Sequence, residues 1–153
     1  MLRTEIDNDT KIGKIAKRYI DQGNLVSDNL ILEIVKDRLS MPDCKNGYIL
    51  DGFPRTLNQA IGLEVIMKDI NQNLDIAISL SANESELVER LVKRGLKFGR
   101  SDDNSSIIRE RQKIYWKLTA PLLEFYKDRN ILKNIDGLGE IEEITNRIIN
   151  IIK

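Results

Sequence analysis

Apolar residues along this chain recur mostly at helical spacing. Ile12, Ile15, Ala16, Tyr19 and Ile20 mark a short amphipathic helix with Gly23 as its C-cap. Leu30, Ile31, Ile34, Val35 and Leu39 mark a second, with Ser27 or Asp28 as N-cap. Thr56 and Gln59 have capping-box spacing ahead of Ala60, Leu63, Val65, Ile66 and Ile70, and the polar loop Asn71-Gln72-Asn73 closes that helix. Ser81 and Glu84 repeat the spacing before the stripe Leu87, Val88, Leu91 and Val92, which ends at Gly95. Ile107, Ile108, Tyr115 and Leu118 predict another helix, broken or kinked at Thr119-Ala120-Pro121 and extended by Leu122, Leu123, Phe125 and Tyr126. Ile141, Ile144, Ile148, Ile151 and Ile152 share one face of a last helix, with Glu140, Glu142 and Glu143 near its N-terminus. At the other end, Met1 to Glu5 read as helix already under way.

Strand patterns are few. Tyr48-Ile49-Leu50 is a continuous apolar run suited to a strand covered on both faces. Leu74, Ile76, Ile78 and Leu80 alternate with Asp75, Ala77 and Ser79, and Ile131 to Asp136 forms a third candidate. Strands alternating with helices predict an α/β fold, a parallel sheet flanked by helices with three visible strands. Ligands in such sheets gather at the carboxyl ends of strands, where helix N-termini offer unpaired N–H groups.

The chemistry concentrates at one such end. Asp51 closes the first apolar run, Gly52 permits close backbone approach, Pro54 directs the chain, and Arg55 offers a planar fork suited to a phosphate. Charge balance narrows the partners: 24 basic and 24 acidic residues leave no global field to attract nucleic acid. A single cysteine, Cys44, excludes a disulfide framework and a four-cysteine zinc site, and with no histidine the chemistry must run on Asp, Arg and Lys. No apolar run approaches the roughly 18 residues of a membrane span, and no signal peptide is seen, so the expected location is cytoplasmic and no membrane partner is expected. Gly13-Lys14 lacks the remaining residues of a phosphate loop and is rejected as one.

The string Asp51-Gly52-Phe53-Pro54-Arg55 resembles the AMP-site signature of the nucleoside monophosphate kinases, adenylate kinases in particular. Gly23 to Asp28 resembles the family's Gly-x-Leu-Val-x-Asp segment, and Arg94-Gly95 followed by Gly99-Arg100-x-Asp102-Asp103 resembles a short, zinc-free lid. The resemblance implies a single domain over residues 1–153, an AMP-binding part at about 1–40 and a lid at about 95–104. It assigns AMP to Arg3, Asn24, Leu25, Val26, Gly52, Arg55, Gln59, Arg100 and Arg111, and ATP to Arg90, Arg94, Gly137 and Gly139. Arg55, Arg100 and Arg111 would act in catalysis, and Asp51 would orient water on Mg²⁺, the implied cofactor, with no zinc and no direct metal ligand. Asp102 and Asp103 would brace the lid. Blander readings stand beside these: Arg3 as a solvated arginine, Gln59 as half a capping box, Glu86 and Arg90 as a surface ion pair.

The implied activity is reversible phosphoryl transfer from ATP to AMP by a monomer. Alternatives are a uridylate or cytidylate kinase, or a truncated or split AMP-binding module. The family's first strand and Gly-rich P-loop have no counterpart in these 153 residues. The fold is therefore expected to be N-terminally incomplete, with Met1 an internal methionine of a longer frame and the chain incompetent by itself. In the family's sheet that strand is central, so a slot is expected between the first two visible strands.

Overall fold

A strand persists only where a neighbour takes its backbone groups, and among the described residues of the computed structural model that happens in one place. Ala77–Ser81 (β1) pairs in parallel with Leu132–Asp136 (β2), Ala77 opposite Leu132 and Ser81 opposite Asp136. The ladder is extended at both ends, Ala77 N–H donating to Ile131 O and Gly137 N–H to Ser81 O. The structure describes residues 2–22, 24–98 and 105–152.

Helices make up most of the rest: α1 (Leu2–Asp7), α2 (Lys11–Asp21), α3 (Asp28–Leu39), α4 (Leu57–Asp69), α5 (Glu84–Phe98), α6 (Ser105–Ile114), α7 (Pro121–Asp128) and α8 (Ile141–Ile152). The fold is the expected α/β one, a parallel sheet flanked by helices, but with two strands among the described residues rather than three. Tyr48 to Leu50 forms no ladder. Its side chains alternate instead: Tyr48 and Leu50 pack on the core, while Ile49 is 89% exposed. A run of three apolar residues cannot supply its own hydrogen-bonding neighbour.

The main core lies between α3 and α4. Val35, Leu39, Leu63, Ile66 and Met67 are buried there together with Cys44, from the short 3-10 turn Pro42–Asn46. Cys44 is thus a core residue, and Arg38 donates to its sulfur. Gly62 permits the close approach of these helices, since a Cβ there would sit 2.5 Å from Leu32 Cδ1. A second cluster, Ala60, Leu122 and Tyr126, joins α4 to α7 and the sheet. Gly13 lies inside α2 against the backbone of α1, where a Cβ would come within 2.0 Å of Glu5 O, so Gly13-Lys14 is packing and not a phosphate loop.

Two local expectations change, and the expected break before Pro121 takes a specific form. Helix α5 does not end at Gly95 but runs to Phe98, so the first part of the expected lid is helical; residues 99–104 lie outside those described. Its cap is Asn83, whose Oδ1 accepts from Glu86 N–H, because Ser81 is occupied at the end of β1, donating to Ile135 O. The break before Pro121 is a π-helical turn, Tyr115–Thr119, in which Ala120 N–H reaches back to Tyr115 O. No helix of the described residues is long and apolar enough to cross a membrane.

Candidate active site

Arg55 is fixed by its main chain before its side chain is considered. Gly52 turns at φ +71°, and Arg55 folds back over it, Nε donating to Gly52 O at 2.7 Å. A Cβ on Gly52 would lie 2.9 Å from Arg55 Nη2 and displace the guanidinium, and the positive φ of the turn favours glycine. Arg55 N–H donates to Gln59 Oε1 at 2.7 Å, and Arg55 O accepts from the Thr119 hydroxyl at 2.8 Å. The guanidinium stands at the surface, carried on a backbone tethered from two helical segments.

Asp28 is the hub of this support. Its Oδ1 accepts from Thr56 Oγ1 at 3.0 Å and from Gln59 Nε2 at 2.8 Å. It begins α3, yet its carboxylate serves α4 rather than its own helix end; Ser27 is the N-cap residue. Thr56 caps α4 as its spacing predicts, accepting from Gln59 N–H at 3.1 Å. The return bond of a capping box is displaced, because Gln59 reaches Arg55 N–H, one residue before the cap. Gln59 is only 3% exposed, with both ends of its amide engaged inside the protein. One of its amide hydrogens remains for any further contact.

Residues 24–26 connect α2 to this network. Asn24 is exposed, Leu25 half-buried and Val26 buried, with Asn24 N–H held by Tyr19 O. Asp51 is exposed at the start of the turn. Arg3 lies on α1, and Arg100, Asp102 and Asp103 fall outside the described residues.

A second group gathers where β2 ends. Arg90 of α5 donates from Nη1 to Gly137 O at 3.0 Å and from Nη2 to Gly139 O at 3.3 Å, while pairing with Glu86. The surface pair expected from spacing exists, but it also anchors a guanidinium to the loop that holds both expected ATP-site glycines. Arg94 lies four residues further along α5, half-buried, and Arg111 half-buried on α6. Among the described residues no cluster of three His, Cys, Asp or Glu could hold a metal.

Sequence reasoning missed the supports. Asp28 had been read only as a possible cap and a member of a family segment. Thr119 carries a faint signal, a hydroxyl beside the proline break.

The sequence that builds this arrangement has relatives. The adenylate kinase family model matches residues 1–131. An adenylate kinase of Leptospira biflexa is 47% identical over 152 residues, spanning 99% of this chain and 82% of that protein. Those of Bifidobacterium longum and Stenotrophomonas maltophilia are 44% and 42% identical, with 81% and 82% of their lengths covered. The chain belongs to the adenylate kinase family, and is a phosphotransferase of the nucleoside monophosphate kinase type.

Proposed function

We propose that this chain carries the acceptor site and part of the donor site for reversible phosphoryl transfer from ATP to AMP, giving two ADP, as a cytoplasmic monomer. The observation that carries the reading is the immobilisation of Arg55. Phosphoryl transfer depends on positioning and charge neutralisation more than on covalent steps, so an arginine presented on a backbone fixed at N–H and C=O is the part such a reaction needs. Arg55, with Arg3, grips the phosphate of AMP; Leu25 and Val26 wall its base, with Asn24, Gly52 and Gln59 alongside. Arg100 and Arg111 steady the transferring group, Arg94 lies near the donor phosphates, and Arg90 lies against the donor base beside Gly137 and Gly139.

Mg²⁺ fits the donor set as a companion of the nucleotide: one exposed carboxylate, Asp51, stands at the turn, and an ion that keeps most of its waters asks for little more from protein. When bound, it neutralises charge on the phosphate oxygens. Asp51 would hold a water in its shell.

A second reading is favoured by one fact of the sequence: the 153 residues contain no Gly-rich phosphate loop. The chain would then recognise AMP and need that loop from elsewhere to transfer phosphate. The deciding experiment measures ADP formation from Mg-ATP with AMP, UMP or CMP. It compares the 153-residue chain with the same chain completed by the part of the Leptospira biflexa relative that lies outside the match. We expect turnover on AMP by the completed chain and none by the shorter one. Turnover by the shorter chain at roughly 1 to 100 per second would refute the second reading, and a completed chain preferring UMP or CMP would refute AMP as acceptor.

A further inference from the structure

Four consecutive carbonyls after β2 are taken in alternation by two guanidinium groups. Arg147 of α8 donates from Nη1 to Asp136 O at 2.8 Å and to Leu138 O at 2.6 Å. Arg90 of α5 takes the intervening pair, Gly137 O and Gly139 O. Successive carbonyls of an extended segment face opposite ways, so one arginine grips each side of the same short loop. The fit is close: Gly139 has φ +108°, and a Cβ there would lie 2.3 Å from Glu143 Oε2 and 3.6 Å from Arg147 Nη2. Asp136 adds charge to the grip, with Oδ2 3.7 Å from Arg147 Nη1, and its Oδ1 accepts from Leu138 N–H at 3.0 Å.

The two grips depend on one another. Arg90 bonds two carbonyls two residues apart, so the plane of its guanidinium follows the loop. Arg147 holds the carbonyls on either side of Gly137 and so maintains the pleat that turns Gly137 O and Gly139 O towards Arg90. Helix α8 has no buried residue among those described, and the Arg147 side chain is 38% exposed.

We propose that Arg147 is a positioning residue of the donor-nucleotide site, holding the Asp136–Gly139 loop in the shape that orients Arg90. This rests on the reading that places Arg90 against the donor base. The role is indirect: Arg147 acts through the loop and touches no nucleotide.

The test uses the completed chain described above as wild type, Arg147→Gln and Arg147→Lys. Solvent exchange of the guanidinium protons is followed by NMR for Arg90, and for Arg38, paired to Asp43 elsewhere, as an internal control. Calorimetric titrations with Mg-ATP and with AMP accompany it. We expect Arg147→Gln to speed Arg90 exchange and weaken ATP about tenfold, the size of one lost charge-assisted hydrogen bond, with AMP affinity and Arg38 unchanged. Arg147→Lys should recover part of both effects, since lysine keeps the charge and donors but on a shorter side chain without the planar fork. Unchanged Arg90 exchange in Arg147→Gln would overturn the proposal. So would equal losses for ATP and AMP, which mark a merely structural role. If Arg90 responds as expected but the wild-type chain takes up no ATP, the donor-site reading fails, and the role given to Arg147 with it, while the link between the two arginines stands.

Discussion

Arg55 and the groups around it separate chemistry from support. Its guanidinium is exposed and its backbone is fixed, so Arg55→Ala should remove function without removing fold. In the completed chain we expect AMP-dependent turnover to fall by roughly 10³ or more, the scale of an arginine supplied to a GTPase, with the melting temperature within a degree or two. A loss of only a few-fold would return Arg55 to the status of a surface charge. Gln59→Ala should cost stability as well as function, because it leaves Asp28 and Arg55 N–H short of a buried partner; about 1 to 3 kcal/mol of stability should go, read from urea unfolding. Tyr126 gives a pH signature. Burial, reinforced by Glu64, pushes its phenol up to about 12 from the ordinary 10, and its hydroxyl is buried with no partner among the described residues. The neutral form is favoured in the folded state, so the contribution is complete below pH 10 and is lost as pH rises from 10 to 12, where the unfolded chain ionises first. Thermal melts from pH 8 upward should show that loss in wild type and not in Tyr126→Phe, which at neutral pH should be as stable or slightly more so.

Elements were legible where their signals are local. The apolar stripes of α2, α3, α4 and α8 placed those helices to within a residue or two, and the Thr56 cap falls where its spacing put it. Two local readings failed, for different reasons. Ser81 had the spacing of a cap, but pairing with β2 claimed it, and Asn83 caps α5 instead. Gly95 had the look of a stop, yet a glycine inside a helix costs only about 1 kcal/mol relative to alanine, too little to end a fifteen-residue helix. Asn83→Ala should therefore destabilise by about 1 kcal/mol, while Ser81→Ala, which leaves the cap intact, should cost less by circular-dichroism melts. Thr119 shows what an element boundary can hide. The π turn ahead of Pro121 carries its hydroxyl to Arg55 O, a bond between residues 64 positions apart that no pattern announces.

Across the whole molecule, the apolar surface left uncovered is the feature most open to test. Ile49 is 89% exposed beside an unladdered run, and Leu80 is 53% exposed on β1. Extended backbone outside any ladder, next to exposed isoleucine and leucine, promotes association between chains. Ile49→Lys should raise the concentration at which the chain begins to scatter light, without lowering its melting temperature; no change would show that this surface is innocuous. The residues alone determined the fold class, most helices, the Asp51 to Arg55 turn and the family, because helical periodicity, caps and a contiguous motif are properties of neighbours in the chain. Only the tertiary structure decided which strands pair, that Asp28 supports α4, that Thr119 holds Arg55, and that Arg90 and Arg147 share one loop. Each of these joins groups far apart in sequence, and a hydrogen bond records where two atoms meet, which spacing along a chain does not encode.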